Sequence, residues 1–171
     1  AYDPMEKAML DYCEEVHITK QHLFGGSLIS EYAFTSEQKM MGHVWYHDDE
    51  IVIAAKGSPE RILQLCACNI TQQKQAEEKI KEMSSQGLRV IAVGSMKPKT
   101  KEDIPADLVS CELILNGLVG LADPPRENIK TDIERCTKAG IRVVMITGDN
   151  GITAASIAEK VGIPNRGHII T

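Results

Sequence analysis

At 171 residues the chain has room for one domain, or for one domain and part of another, and 43% hydrophobic with 25% charged residues is ordinary globular composition. A net charge of −5 with only 4% aromatic residues excludes a nucleic-acid surface, which needs a basic face and stacking rings. The five cysteines, Cys13, Cys66, Cys68, Cys111 and Cys136, are an odd number without regular spacing, which fits a reduced compartment better than a disulfide framework.

In chain order, Asp3 and Pro4 supply an N-cap and a first helical residue for a helix over "MEKAMLDYCEE" (5–15). "SLISEYAF" (27–34) and "MMGHVWY" (40–46) predict strands, and "HDDE" turns the second of them into "IVIAAK" (51–56) as an antiparallel hairpin. Alternation puts His43, Trp45 and His47 on one strand face, which makes a cross-strand surface a simpler reading than a metal site with Asp48 and Asp49. Ser58 and Pro59 open a helix "ERILQLCA" (60–67), and Thr71 caps a second one, "QQKQAEEKIKEMSSQ" (72–86), which stops at Gly87. Cys66 and Cys68 have no second Cys or His pair at ligand spacing. "LRVIAVGSM" (88–96) and "ELILNGLVGLA" (112–122) predict two further strands, with "KPKTK" (97–101) a solvated loop between them. No stretch reads as a signal peptide, and the longest apolar run, "LILNGLVGLA", is too short and too polar to span a bilayer.

The pattern changes at Asp123-Pro124-Pro125-Arg126. Beyond it come a helix "RENIKTDIERCTKA" (126–139), a strand "IRVVMI" (141–146) and a helix "ITAASIAEKV" (152–161), the order of a parallel α/β unit. The paired prolines form a stiff hinge, and the residues after it supply too few strands for an independent parallel sheet. The fold class expected is therefore α+β, an antiparallel sheet flanked by helices, followed by a partial α/β segment.

Two stretches carry candidate chemistry. "MITGDN" (145–150) ends a β-branched run in a hydroxyl (Thr147), a glycine amide (Gly148) and Asp149 directly before a helix, an arrangement suited to a phosphate. "KGSPE" (56–60) sets a cation, Lys56, beside Gly57, where the missing side chain lets a ligand approach the backbone. There is no Walker A pattern, so a nucleotide would not be held by a P-loop.

Taken in order, "DPME", "FTSEQKMM", "KGSPE", "GLRVIAV", "LADPPR" and "MITGDN" resemble the P-type cation-transporting ATPases, most closely their calcium-pump-like branch. The resemblance implies a nucleotide-binding (N) domain over residues 1–122, its opening segment missing or abbreviated. It also implies part of a phosphorylation (P) domain of haloacid-dehalogenase-like fold over 123–171, with a hinge at Asp123, Pro124, Pro125 and Arg126. Phe34 would stack on adenine, Lys39, Lys56 and Gly57 would line the same pocket, Glu6 would accept from the adenine amino group, and Arg89 would meet the polyphosphate. Thr147, Gly148 and Asp149 would form one wall of the phosphate site. Three positions depart from the family pattern: Ala33 where Pro is usual, Gln38 where a basic residue is common, and Ser58 in place of Ala.

The phosphorylated aspartate of the family's "DKTGT" and the magnesium-holding "TGDGVND" do not occur in this sequence. The expectation is a cytoplasmic portion of an integral membrane pump that binds ATP or ADP without hydrolysing it. Magnesium would matter only in the intact enzyme, and the partners would be the remaining phosphorylation, actuator and transmembrane domains. Two alternatives stand beside it. A haloacid-dehalogenase-like phosphohydrolase would need an Asp nucleophile motif that is absent, and a regulatory module of the same fold would not need Glu6, Phe34, Lys39, Lys56 and Arg89 together.

Overall fold

The computed structural model describes residues 3–164. They fall into two compact units, Ala1–Gln73 with Ile91–Leu121, and Lys74–Val90 with Ala122–Thr171.

The first unit opens with helix α1, Pro4–Glu15, where the Asp3 carboxylate accepts from the Met5 amide at 2.8 Å and Pro4 starts the first turn. Met5, Glu6, Met9, Leu10 and Cys13 recur at helical spacing and are half-buried, so one face turns inward although no residue of α1 is fully buried. A short helix not expected from the sequence, α2 (Lys20–Leu23), follows behind a Thr19 cap.

Five strands then line up in sequence order: β1 (Ser27–Tyr32), β2 (Met40–His47), β3 (Glu50–Gly57), β4 (Arg89–Met96) and β5 (Ile114–Leu121). Neighbours from β1 to β4 run antiparallel, and β5 is hydrogen-bonded beside β4. The antiparallel sheet with flanking helices is the expected architecture. The β2–β3 hairpin closes through Asp48 and Asp49 at φ 50° and 61°, the left-handed pair that a two-residue turn needs and Asp tolerates.

Alternation decides which face is core. Met40, Val44, Ile51, Ile53 and Ala55 point to one side and are buried with Ile62, Ala92, Leu108, Cys111 and Leu113. Each fully buried large side chain among them, such as Ile53 or Ile62, contributes about 1.5–3 kcal/mol. Met41, His43 and Trp45 project from the other face, where His43 lies 3.8 Å from Glu31 and His47 lies 3.0 Å from Asp48. That is the cross-strand surface read from the alternation.

Helix α3, Pro59–Leu65, begins at Ser58 and Pro59 as expected, although the Ser58 hydroxyl makes no capping hydrogen bond. Helix α4, Ile70–Ser85, corrects the assignment of its cap. Thr71 lies inside the helix, and Asn69 takes the capping position: Gln72 N–H donates to Asn69 Oδ1 at 2.9 Å, and Asn69 N–H donates to Gln72 Oε1 at 3.0 Å. The helix stops at Gly87 as predicted. Gly87 adopts φ +83°, its N–H donates to the Ser84 carbonyl, and Leu88 N–H reaches back to the Met83 carbonyl.

The second unit contains the C-terminal part of α4 together with α5 (Ile129–Lys138) and α6 (Gly151–Val161). Side chains of α6 satisfy carbonyls left open where α4 ends: Thr153 Oγ1 donates to Leu88 at 3.0 Å, Ser156 Oγ to Ser85 at 2.9 Å, and the Lys160 ammonium to Gln86. Helix α5 starts later than expected because residues 123–126 have no regular secondary structure and residues 127–128 form a turn.

The strand expected over 141–146 is not formed. Residues 141–147 have no regular secondary structure, and Ile141, Val144 and Ile146 are exposed. A β-branched run has the propensity for a strand, but a strand exists only with a neighbour to receive its backbone hydrogen bonds, and none pairs with this segment among the described residues. Of the expected partial α/β unit, the two helices are present and the strand is not.

Candidate functional site

One end of the sheet gathers most of the candidate residues of the first unit. Tyr32 closes β1 opposite Gly42, and the chain then turns back through Phe34 to enter β2 at Met40, which pairs with Gly57 at the end of β3. The turn is held by the Thr35 hydroxyl, which accepts from the Gln38 amide at 3.1 Å, and by Lys39 N–H donating to the Thr35 carbonyl at 2.8 Å. Phe34 is 59% exposed, so it is not part of the core and its ring is open to a planar ligand.

Lys39 is exposed and adopts φ 53°, a left-handed conformation unusual for a residue with a side chain. Its carbonyl accepts from Ser58 N–H at 2.9 Å, which ties the start of β2 to the Lys56-Gly57-Ser58 corner. Gly57 is required by strand packing: a Cβ there would stand 2.5 Å from Met40 Cβ and 2.6 Å from the Lys39 carbonyl oxygen.

Lys56 pairs with Met41 on β2 and Val93 on β4, and projects from the face opposite the core. Its ammonium donates to Glu6 Oε1 at 2.7 Å, with 27% of the Lys56 side chain and 33% of the Glu6 side chain exposed. Two residues fifty positions apart, one on α1 and one on β3, thus meet as a half-buried ion pair. Glu6 is therefore not the free surface residue that its helical position alone would suggest.

Arg89 and the "MITGDN" residues belong to the second unit. Arg89 opens β4 and its Nε stands 3.5 Å from Asp149 Oδ1, the Arg89 side chain being 58% exposed and that of Asp149 27%. The Thr147 hydroxyl accepts from Asp149 N–H at 3.0 Å, nothing lies within 4 Å of where a Gly148 Cβ would be, and Asn150 caps α6 by accepting from Ile152 N–H at 2.8 Å. Thr147, Gly148 and Asp149 therefore lead into a helix N-terminus, as the sequence predicted, with a guanidinium already beside the carboxylate. Asn150 was missed as the cap, although an Asn directly before an apolar-periodic segment is a recognisable signal. The four hinge candidates, Asp123, Pro124, Pro125 and Arg126, are exposed and without regular structure.

Titration adds one feature away from these residues. The Cys66 thiol, which lies beside the start of β5 through a bridge to Leu113, is pushed up to about 11 by burial and by its neighbour Cys68. Such a thiol is a poor nucleophile and a poor ligand. A hollow lined by Glu14, His17, Ile18, Thr19 and Lys20 includes none of the candidate residues.

Residues 1–128 match the family model for the cytoplasmic N domain of P-type ATPases. The chain belongs to the P-type cation ATPases. It is 34% identical to a calcium-transporting ATPase of Bacillus cereus over 94% of this chain and 19% of that protein. It is 36% identical to a sodium/potassium exporting P-type ATPase of Schizosaccharomyces pombe over 94% of this chain and 17% of that protein. With a calcium-transporting ATPase of Lactococcus lactis it shares 33% identity over 96% of this chain and 20% of that protein. The chain spans about a fifth of the length of these curated P-type ATPases. No helix among its described residues is long and apolar enough to cross a membrane.

Proposed function

We propose that this chain is the ATP-binding part of a cation-transporting P-type ATPase, made of an N domain over residues 1–122 and part of a P domain over 123–171. The observation that carries the reading is that exposed Phe34, Lys39 and the Lys56–Glu6 pair lie at the same end of the sheet. It offers a ring face, two ammonium groups and a carboxylate within a few strand positions, the complement of an aminopurine nucleotide.

Phe34 stacks on the base, Glu6 accepts from its amino group, and Lys39 and Lys56 line the pocket. Arg89 is the donor for the polyphosphate, and Thr147, Gly148 and Asp149 contribute a wall of the phosphate site. In the whole pump, ATP bound here would deliver its γ-phosphate to an aspartate outside this chain, and the rest of the P domain, the actuator and the transmembrane domains would couple that transfer to cation movement. Residues 123–126 would act as the hinge. Nucleotide binding by this chain is proposed to be independent of magnesium, because the family's magnesium-holding motif does not occur in its sequence.

The affinity should be weak. One stack contributes about 1 kcal/mol beyond burial, exposed charges add modestly, and association entropy opposes both, so a net near −4 kcal/mol gives a Kd of about 1 mM. An NMR titration with ATP tests the reading. The expected result is saturable shifts at Phe34, Lys39, Lys56 and Glu6 with or without magnesium, weakened in Phe34→Ala. Saturation with no shift at these four residues would overturn it.

A further inference from the structure

We propose that His22 and His47 form a binding site for a divalent transition-metal ion of the zinc class, one that ties helix α2 to the turn end of the β2–β3 hairpin. The site lies at the opposite end of β2 from Met40 and Gly57, apart from the residues proposed to hold nucleotide.

Packing, not sequence spacing, brings the two imidazoles together. His47 ends β2 and pairs with Glu50 across the turn at Asp48 and Asp49. His22 belongs to α2, and Gly25 and Gly26 lead from that helix into β1, where Ser27 pairs with Tyr46. The two glycines let the chain pass close to His47. A Cβ on Gly26 would stand 3.0 Å from His47 Cβ, and one on Gly25 would stand 3.3 Å from His47 Nε2. The ring centres of His22 and His47 are consequently 5.8 Å apart, with their planes at 77°.

The partner of His47 turns this ring contact into a ligand pair. Its Nδ1 lies 3.0 Å from Asp48 Oδ2, so the neutral ring donates that N–H to the carboxylate. The lone pair is then on Nε2, the nitrogen that faces Gly25 and the end of α2. A carboxylate behind an imidazole fixes both tautomer and ring orientation, as metal-binding histidines require. His22 is exposed, so rotation of its ring aims a nitrogen at the same point without disturbing packing.

Metal–nitrogen bonds of about 2.0–2.1 Å put the centres of two ligating imidazoles about 5–6 Å apart, which matches the separation of His22 and His47. Among the described residues no group of three His, Cys, Asp or Glu is placed to hold a metal, so this is a two-imidazole site whose shell is completed by water. Asp48 stands on the Nδ1 side and acts through the ring. Imidazole nitrogen favours Zn2+, Ni2+ or Cu2+ over Mg2+ and Ca2+, which take oxygen ligands.

The test is a titration of the EDTA-treated chain with Zn2+ by calorimetry and with Ni2+ by NMR. It covers the wild type, His22→Ala, His47→Gln, Asp48→Asn and His43→Ala, each checked for an intact amide spectrum. Because His22 is exposed, its replacement keeps the test valid even if His47→Gln disturbs the hairpin. The wild type should bind zinc saturably in excess Mg2+, show Ni2+ broadening centred on His22, Gly25 and His47, and unfold at a higher temperature with zinc present. His22→Ala and His47→Gln should each abolish the saturation and the thermal shift. Asp48→Asn should weaken zinc by about tenfold, and His43→Ala should leave it unchanged. Zinc binding by His22→Ala equal to that of the wild type, broadening centred on His43 or on the cysteines, or displacement of zinc by Mg2+ would overturn the site. So would a folded wild type that binds neither metal saturably.

Discussion

Lys39 occupies a left-handed backbone conformation with φ 53° at the corner where β2 begins. Holding a side chain there costs about 1 kcal/mol relative to glycine. Lys39→Gly is therefore expected to raise the unfolding free energy by about that amount while weakening ATP binding, a combination that denaturant titration and an NMR binding curve would detect. Loss of stability would mean that the lysine stem packs more than its exposure allows. At Phe34, 59% exposed, truncation to Ala should leave the unfolding midpoint close to that of the wild type, because little apolar burial is lost.

Cys66 makes the residue scale depend on pH. In the folded chain it keeps its proton to about 11, against an ordinary value of 9.0, because burial penalises the thiolate. Between these values the unfolded chain binds fewer protons than the folded one, so stability is full below about 9 and falls as pH rises towards 11. Tyr32 and Cys111, both raised mainly by burial, act in the same direction. Cys66→Ser should flatten part of that alkaline loss in unfolding curves recorded across the window, and an unchanged slope would contradict the assignment.

Among the elements, α4 shows how a sequence signal is overlooked. "NITQ" at 69–72 has the form of an N-cap residue followed three positions later by Gln, and the reciprocal bonds between Asn69 and Gln72 follow from it. Thr71 also places a hydroxyl before the "QQKQ" run, yet capping depends on which residue leaves the helical conformation, and Thr71 lies within the helix. Asn69→Ala should cost about 1 kcal/mol in thermal or denaturant unfolding, and Thr71→Ala much less.

The sheet and its flanking helices were legible because alternation and turn residues are local. "IRVVMI" failed as a strand because its formation depends on a neighbour, and propensity carries no information about one. The same division holds at the candidate site. Motif order named Glu6, Lys56, Arg89 and Asp149, but their pairings, Lys56 with Glu6 and Arg89 with Asp149, come from tertiary folding and leave no local trace. The packing demand on Gly57 leaves no local trace for a related reason: its empty side-chain position is filled from the adjacent strand.

For the molecule as a whole, binding and chemistry are separable. Phosphoryl transfer through an aspartyl phosphate needs an in-line carboxylate and a metal ion to neutralise developing charge. Thr147 and Gly148 are proposed to hold phosphate oxygens, and the Asp149 carboxylate already faces Arg89. Incubation of this chain with labelled ATP and magnesium should therefore yield no acid-stable phosphoprotein. A label released by hydroxylamine would place a reactive aspartate within these residues and overturn the reading.

The unpaired segment at 141–147 has a consequence for behaviour in concentrated solution. Ile141, Val144 and Ile146 are 57%, 66% and 95% exposed, in a stretch of high β-propensity whose one charge is Arg142. Such a segment recruits the same stretch of another molecule in place of the strand it lacks, and growth by that route has no natural end. Light scattering should accordingly rise with protein concentration and on storage, and Ile146→Lys, a charge set into the sticky stretch, should suppress it without altering ATP binding.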